Sequence, residues 1–229
     1  LSSSTLMKGG CGDPNYVPKA KGGFQRGTSN LQGWISEGGE FAPERGRYHL
    51  FVNFACGWSH RVMLVRSLKG LEDCVSLSHT GLHFAHDAAG RYRGWPLPHD
   101  PTGNGFATTH DVYNAGDPAY GDGSASHGRR QLGVPILFDK RRKRVVSNDS
   151  AQMCVMLNGA FDRWATRAAL DLYPAELADA IEAVNAVVGP HVNDGVYRCR
   201  FARTDEAYDE ALGELVRGLE FLRARLAAP

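Results

Sequence analysis

The order of short apolar segments constrains the fold of this chain more than any other feature. Residues 48–54 are rich in aromatic and β-branched types and predict a strand, and residues 74–78 predict a second strand. Between them, the apolar residues of 58–71 recur near helical spacing and predict a helix. Two strands that flank a helix form a β-α-β unit, and we expect its strands to run parallel.

A second group of elements follows a long polar stretch. Residues 81–130 carry Gly, His, Asp and Pro with little periodicity, and such a stretch inside a domain is often functional. Residues 134–138 and 144–147 predict two strands that a short polar turn joins into a hairpin. A helix is predicted to begin at Ser150. The order β-α-β followed by β-β-α is that of a thioredoxin-like sheet.

Towards its end the chain becomes helical. Pro174 suits the first turn of one helix, and a longer helix is predicted to begin near Thr204. The longer helix carries an apolar stripe, which consists of Tyr208, Leu212, Leu215, Leu219, Leu222 and Leu226. We therefore expect an irregular N-terminal arm over 1–46, a thioredoxin-like domain over 47–160 and a helical domain over 161–229.

Charge, hydropathy and cysteine content exclude several classes of protein. Lys plus Arg total 26 and Asp plus Glu total 25, so the formal net charge of +1 gives no electrostatic basis for a nucleic-acid partner. The apolar stretches are short and broken, well below the ~20 residues that span a bilayer, so we expect no membrane partner. The five cysteines form no CxxC motif and no secretory signal is visible, which favours a reduced, cytoplasmic setting. A plastid or mitochondrial location stays open.

Cys56 is the strongest candidate for chemistry, because it lies where the first predicted strand meets the first predicted helix. Free N–H groups and the positive end of a helix dipole favour the thiolate, which is the reactive form in nucleophilic catalysis. The motif Cys56-Gly57-Trp58-Ser59 lacks the second cysteine of a protein disulfide exchange enzyme. A monothiol centre needs a thiol from elsewhere, and glutathione is the obvious donor. The alternative is a buried structural cysteine.

Two further segments complete a predicted groove. Val134-Pro135 opens the third strand, where a proline is compatible with a cis bond, the alternative being an ordinary trans proline. Asn148-Asp149-Ser150 could bind a carboxylate at the helix N-terminus and an ammonium group on the aspartate, the alternative being a plain helix cap. A γ-glutamyl group carries both ions on one carbon. With Cys56, these segments predict a nucleophile, a peptide-binding strand edge and a γ-glutamyl anchor.

The chain resembles the glutathionyl-hydroquinone reductases, which are the Xi class of glutathione transferases. The resemblance covers roughly residues 22–227 in order. It implies an α/β thioredoxin-like N-terminal domain followed by an all-α glutathione-transferase C-terminal domain, with Cys56 as the catalytic residue. The segments that carry it are Gly23–Arg26, Tyr48–Arg61, Leu68–Glu72, Val134–Lys140, Val146–Ser150, Met156–Asn158, Asn193–Tyr197 and Phe201–Tyr208.

The resemblance also implies substrates and site residues. Glutathione is the expected co-substrate and a glutathionyl-hydroquinone the expected substrate, which is reduced through a cysteinyl-glutathione mixed disulfide. A full-length protein of this family can form a homodimer. By this resemblance, the groups that contact glutathione are Trp95, Arg129 or Arg130, Val134, Pro135, Asp149 and Ser150, and those of the hydroquinone pocket are Tyr197 and Trp58.

Two other functions and one other ligand are compatible with parts of the sequence. A conjugating glutathione transferase or a glutaredoxin-like deglutathionylase is the nearest alternative enzyme. A glutathione-binding module without turnover is the alternative from another class. His79, His83 and His86 could share one helical face and bind a metal, but Gly81 favours a loop, so no metal site is expected.

Three features depart from the family pattern. Gly57 stands where the family has proline after the cysteine, and Asp149 stands where it commonly has glutamate. The family's helical domain continues beyond the position of Pro229. We therefore expect either a fragment or a truncated gene, with an incomplete helical domain and a poorly covered last helix.

Overall fold

The structure consists of two compact units. It is a computed structural model that describes residues 16–18, 22–26, 29, 31–118, 120 and 132–227. The described residues within Thr28–Tyr173 form one unit, which contains the central sheet. Those of the N-terminal segment up to Gly27 group with Pro174–Pro229 in a second, mainly helical unit.

A four-stranded mixed sheet with the order β4-β3-β5-β6 forms the centre of the first unit. Strand β3 (Tyr48–Val52) runs parallel to β4 (Ser76–His79), and helix α1 (Gly57–Lys69) connects the two. Strand β5 (Ile136–Asp139) pairs antiparallel with β3 and with β6 (Arg144–Ser147). The parallel pair and the hairpin predicted from the sequence are both confirmed, and the fold is thioredoxin-like.

Both faces of this sheet are covered. Helices α1 and α3 (Ser150–Gly159) pack together over one face, and the short helix α2 (Thr109–Asn114) lies over the other. Alternate residues of a strand point to opposite faces, so Leu50 joins the core beneath α1 and α3 while Phe51 joins the core beneath α2. All five residues of β3 are buried, so this strand is covered on both faces.

The limits of the first unit differ from those predicted from the sequence. Residues 28–46 and 161–173 group with the sheet, although the predicted limits of the thioredoxin-like domain are 47 and 160. The reason is packing: Ile35, Phe41 and Phe161 are buried in the same core as β3 and α1. The arm and the turn after α3 therefore contribute side chains that the central sheet needs to cover its face.

In its described part, the second unit contains a two-stranded sheet and three α-helices. Strands β1 (Tyr16–Pro18) and β2 (Phe24–Arg26) pair antiparallel. The helices are α4 (Ala178–Val188), α5 (Gly195–Phe201) and α6 (Asp205–Ala227). Within the described ranges, none of the helices has the length and apolar character needed to cross a bilayer.

The fully buried residues of helix α6 are small, and Leu215 packs beside them against Gly195 of α5. Ala211 and Gly218 are its buried residues. A Cβ atom at Gly218 would lie 2.8 Å from Val192 Cγ2, so the close approach at this point requires glycine. Four members of the predicted apolar stripe are exposed instead, namely Tyr208, Leu212, Leu219 and Leu226.

Candidate active site

Cys56 occupies the position just before the first residue of α1. Its backbone N–H donates to the Asn53 carbonyl at 3.0 Å, and its own carbonyl accepts from the His60 N–H at 2.9 Å. Its thiol donates to the carbonyl oxygen of Val134, with Sγ and O 3.6 Å apart. The peptide bond between Val134 and Pro135 is cis. The structure therefore brings Cys56, Val134 and Pro135 together where the central strand β3 ends and the central strand β5 begins.

The loop that carries Cys56 is held by the buried side chain of Asn53. Its Nδ2 donates to Thr80 Oγ1 at 2.8 Å and to the Gly81 carbonyl at 2.9 Å. Its Oδ1 accepts from the Ala55 N–H at 2.8 Å. These three bonds fix the chain immediately before the thiol, so the position of Cys56 does not depend on the helix alone.

Ser59 and two cysteines of this unit other than Cys56 are buried to different extents. Ser59, at the position of the second cysteine in a CxxC motif, is buried and accepts from the Asn53 N–H at 3.2 Å. Burial raises the pKa of the Cys154 thiol to about 11 and also raises the pKa of Cys74. Those two thiols are protonated at neutral pH. Cys56 lies at the N-terminus of α1.

Asp149 and Ser150 form the N-terminus of α3. Asp149 Oδ1 accepts from the N–H groups of Ala151 at 2.9 Å and Gln152 at 3.2 Å, so it caps the helix. Its Oδ2 takes no part in this cap. Ser150 Oγ accepts from the Arg61 guanidinium, from Nε at 3.0 Å and from Nη2 at 2.6 Å. The predicted helix cap is present, and it leaves polar atoms at the helix end for a ligand.

Trp95 is fixed by Thr109, the first residue of α2. The backbone N–H of Trp95 donates to Thr109 Oγ1 at 3.0 Å, and the backbone N–H of Thr109 donates to the Trp95 carbonyl at 2.8 Å. The same hydroxyl donates to the Leu132 carbonyl at 2.8 Å, just before Val134. Gly94 has a φ of 74°, and a Cβ there would lie 2.0 Å from Thr109 Oγ1. Any side chain at position 94 would clash with Thr109, so glycine is needed for the chain before Trp95 to run this close to α2.

Two further predicted site residues, Trp58 and Tyr197, each contact an arginine. Trp58 lies beneath the Arg61 guanidinium, whose carbon is 4.8 Å from the centre of the indole ring. Tyr197 belongs to the second unit, where the Arg26 guanidinium lies 4.2 Å above its ring. Arg129 and Arg130 lie outside the described residues. The roles assigned to all predicted site residues stay predictions.

Sequence reasoning gave no role to Asn53, Thr109 or Arg61, although each contacts or supports a predicted site residue. For Thr109 a signal exists, because Asp111 Oδ2 accepts from the Thr108 N–H at 2.8 Å in a capping box that marks a helix start. Asn53 and Arg61 have no comparable signal. Across the described residues, no group of three or more His, Cys, Asp or Glu side chains could hold a metal ion. The expected absence of a metal stays a prediction.

Comparison with known proteins relates the chain to one family. Residues 55–160 match the family model described as glutathione S-transferase, N-terminal domain. The chain is 39% identical over 227 residues to glutathionyl-hydroquinone reductase PcpF from Sphingobium chlorophenolicum. That alignment covers 96% of this chain and 67% of the relative.

Solved structures agree with this relationship. The crystal structure of the glutathione S-transferase Xi from Phanerochaete chrysosporium superposes with a TM-score of 0.78 at 36% identity, covering 90% of this chain and 67% of that one. The glutathione-bound structure of YqjG, a glutathione transferase homolog from Escherichia coli K-12, superposes with a TM-score of 0.70 at 33% identity, covering 84% and 62%. The chain thus spans about two thirds of the length of these proteins. It belongs to the glutathionyl-hydroquinone reductases, the Xi class of the glutathione-dependent transferases.

Proposed function

We propose that this chain reduces glutathionyl-hydroquinones to hydroquinones, with glutathione as co-substrate and Cys56 as the nucleophile. The observation that carries the proposal is the position of the thiol, at the N-terminus of α1 and 3.6 Å from the Val134 carbonyl. A glutathionyl peptide that pairs with the backbone of Val134 would present its sulfur to Cys56. The relatives named as glutathionyl-hydroquinone reductases support the same chemistry.

The reaction divides into two exchanges at sulfur. The Cys56 thiolate attacks the sulfur of the glutathionyl group, an S–S bond forms, and the carbon–sulfur bond to the ring breaks. The ring carbon takes the electron pair of that bond and one proton, which yields the hydroquinone. A second glutathione then attacks the mixed disulfide as its thiolate, which releases oxidised glutathione and the Cys56 thiolate. Sulfur is oxidised and the ring carbon is reduced, so no other reductant is needed.

The thioredoxin-like domain would supply most of the glutathione site in this proposal. Val134 and Pro135 would contact the peptide, and Trp95 would lie against it. Asp149 and Ser150 would bind the γ-glutamyl group, with Arg129 or Arg130 as a further contact. Tyr197 and Trp58 would line the hydroquinone pocket, and a full-length homodimer is part of the same proposal.

Mass spectrometry after incubation with a glutathionyl-hydroquinone tests the nucleophile directly. We expect one glutathione adduct on Cys56 in the absence of free glutathione, and loss of the adduct with release of oxidised glutathione when glutathione is added. Cys56→Ser should form no adduct and show no turnover, yet should still bind glutathione, because a hydroxyl cannot form the mixed disulfide. Cys154→Ser is the matched control and should behave as the parent protein, since burial keeps that thiol protonated.

Other outcomes would contradict the proposal and identify a different function. An adduct on another cysteine, or full turnover in Cys56→Ser, would exclude the mechanism. Conjugation of glutathione to an electrophile without any adduct would indicate a conjugating transferase. Faster reduction of glutathionylated proteins than of glutathionyl-hydroquinones would indicate a glutaredoxin-like deglutathionylase. Bound but unmodified glutathione, without turnover, would indicate a binding module.

A further inference from the structure

Arg61 in the second turn of α1 contacts Ser150 at the start of α3. Two of its nitrogens, Nε and Nη2, donate to the Ser150 hydroxyl oxygen, at 3.0 Å and 2.6 Å. The Trp58 ring lies against its guanidinium, 4.8 Å from ring centre to guanidinium carbon. Helices α1 and α3 are thereby joined at the end of α3 where Asp149 and Ser150 lie.

These two bonds determine what the Ser150 hydroxyl can recognise. A hydroxyl group has one donor proton and two acceptor lone pairs. Because Arg61 donates to the oxygen twice, both acceptor positions are in use and the hydroxyl proton is the group that can still pair. Ser150 is therefore prepared to donate to an acceptor such as a carboxylate, and it is not prepared to accept from an ammonium group.

The positive charge of Arg61 also favours a carboxylate ligand at this position. Lys69, at the other end of α1, pairs with the Asp162 carboxylate at 2.8 Å, whereas the hydrogen-bond and ring partners of Arg61 within the described ranges are the neutral Ser150 and Trp58. A guanidinium has five N–H donors, which leaves donors beyond the two that Ser150 uses. An anion at the end of α3 would neutralise this charge and accept charge-assisted hydrogen bonds.

We propose that Arg61 is a specificity-determining residue of the glutathione site, which binds the α-carboxylate of the γ-glutamyl group together with Ser150. The inference rests on the proposed function, because it assumes that glutathione is the ligand. Asp149 completes the arrangement, since Oδ1 caps α3 and Oδ2 remains to accept from the ammonium group on the same carbon. The ammonium group of the ligand then lies against the Asp149 carboxylate, and its carboxylate lies against the Arg61 guanidinium.

Calorimetric titration with two matched analogues tests this assignment. The protein carries Cys56→Ser to prevent covalent chemistry, and binding is measured with and without Arg61→Gln. The ligands are glutathione, an analogue with 4-aminobutyryl in place of γ-glutamyl, which lacks the carboxylate, and an analogue with glutaryl, which lacks the ammonium group. Arg66→Gln is the matched control, because it removes the same charge from α1 where the guanidinium binds the carbonyls of Val75 and Glu72.

We expect Arg61→Gln to weaken the binding of glutathione and of the glutaryl analogue by roughly 10- to 100-fold, the range for hydrogen bonds to a charged group. Binding of the 4-aminobutyryl analogue should stay within about twofold, since the group that Arg61 contacts is missing from that ligand. Arg66→Gln should change none of the three affinities.

The outcomes separate this inference from the function on which it rests. Equal losses for all three ligands in Arg61→Gln would overturn the assignment, since a structural role affects every ligand alike. Equal effects of Arg61→Gln and Arg66→Gln would overturn it as well, because the loss would then reflect total charge. Failure of the parent protein to bind glutathione at all would overturn the proposed function itself.

Discussion

Asn53 Nδ2 lies 2.8 Å from Thr80 Oγ1, and this bond joins the end of β3 to the end of β4 directly beside the Cys56 loop (residues 53–56). Both side chains are buried. Parallel strands end at the same edge of a sheet, so one amide can reach across from the first strand to the residue that follows the second. The next residue, Gly81, donates its N–H to the Pro96 carbonyl at 2.8 Å. The segment around Trp95 is thereby linked to the loop of the proposed nucleophile.

Replacing Asn53 tests the importance of this link. We expect Asn53→Ala to lower the free energy of unfolding by about 2–4 kcal/mol, because three side-chain bonds in a buried site are lost. We also expect a loss in kcat/KM, measured well below the denaturation midpoint, because the chain before Cys56 is no longer fixed. Denaturant titration and the rate of Cys56 alkylation measure the two effects.

Thr80→Val is the control for Asn53→Ala, since it removes one of the three Asn53 bonds, along with the 3.1 Å bond from Thr80 to the Gly81 carbonyl, and keeps the shape of the side chain. It should cost less stability and leave kcat/KM closer to that of the parent protein. Wild-type kcat/KM in Asn53→Ala would show that the helix alone positions Cys56.

The sequence predicted the sheet well because its signals are local. Apolar strands, a helix between two of them and a short hairpin turn depend on neighbouring residues. Helix α2 was not predicted, because its six residues lie inside a polar stretch and only the capping box marks it. The burial of Ile35 and Phe41 was not predicted either, because it depends on the surface that the folded sheet presents.

The candidate site likewise contains residues that local sequence patterns predict and residues that depend on long-range packing. Cys56, Val134 and Ser150 follow from patterns of a few residues each, since a nucleophile, a strand start and a helix start have local signatures. Arg61 contacts Ser150 across 89 positions of the chain, and Asn53 contacts Thr80 across 27. Partners at such separations are set by the packing of α1 on α3 and of β3 beside β4, which no short pattern encodes.

Gly57 gives a prediction in which stability should rise. It is the first residue of α1, where the fixed φ of proline suits the helix and the N–H has no partner within the helix. A Cβ at this position would meet no atom within 4 Å. We expect Gly57→Pro to raise the free energy of unfolding by about 0.4–1 kcal/mol, by reducing the entropy of the unfolded chain. Denaturant titration measures this gain.

The same substitution should raise the rate at which Cys56 forms a mixed disulfide, because a stiffer residue next to the thiol limits its motion. Gly133→Pro is not a suitable control, because position 133 is next to Val134, which is itself part of the proposed glutathione site. Gly57→Ala is the better one, since it fills the same space with less restriction of φ and should give a smaller gain. A loss of stability in Gly57→Pro would mean that the Gly57 N–H is needed by the folded protein.

His49 makes the stability of the sheet depend on pH. Its ring is buried in β3, with Nδ1 2.8 Å from Ser76 Oγ and Nε2 2.9 Å from Ser78 Oγ. Burial lowers the pKa of His49 to about 4, and the nearby charge of Lys140 acts in the same direction. Between that value and the unfolded pKa of about 6.5, the unfolded chain binds a proton that the folded chain does not. Stability therefore falls as pH falls through this window.

Because of His49, the free energy of unfolding should fall by about 3 kcal/mol between pH ~6.5 and pH ~4, as the size of the pKa shift implies. Urea titrations across this range measure it. His49→Gln is the test variant, because it keeps a polar side chain but does not titrate. It should be less stable at neutral pH and should show a flatter dependence on pH. An unchanged slope would assign the acid sensitivity to other groups, such as the buried Asp139, whose pKa the Arg47 guanidinium helps to lower.

The last prediction concerns the exposed side of α6. Because Ala211 and Gly218 form its buried seam, Leu212, Leu219 and Leu226 face outward, with Leu219 49% and Leu226 82% exposed. Fully burying one leucine contributes about 1.5–3 kcal/mol. Contiguous exposed apolar surface beyond a few hundred Å² is uncommon in proteins that stay monomeric. We therefore expect the 229-residue chain, expressed alone, to self-associate through this side of α6.

Light scattering across a range of protein concentrations measures this association. Leu212→Glu combined with Leu219→Glu should give a monodisperse monomer, because two charges interrupt the apolar surface without touching the buried seam. Arg217→Glu is the matched control, since it changes the charge at an exposed position on another side of the same helix and should leave the association intact. A monodisperse wild-type monomer would contradict the prediction, and strong hydrogen-exchange protection of 205–227 in that monomer would show that the seam alone is enough to hold α6 in place.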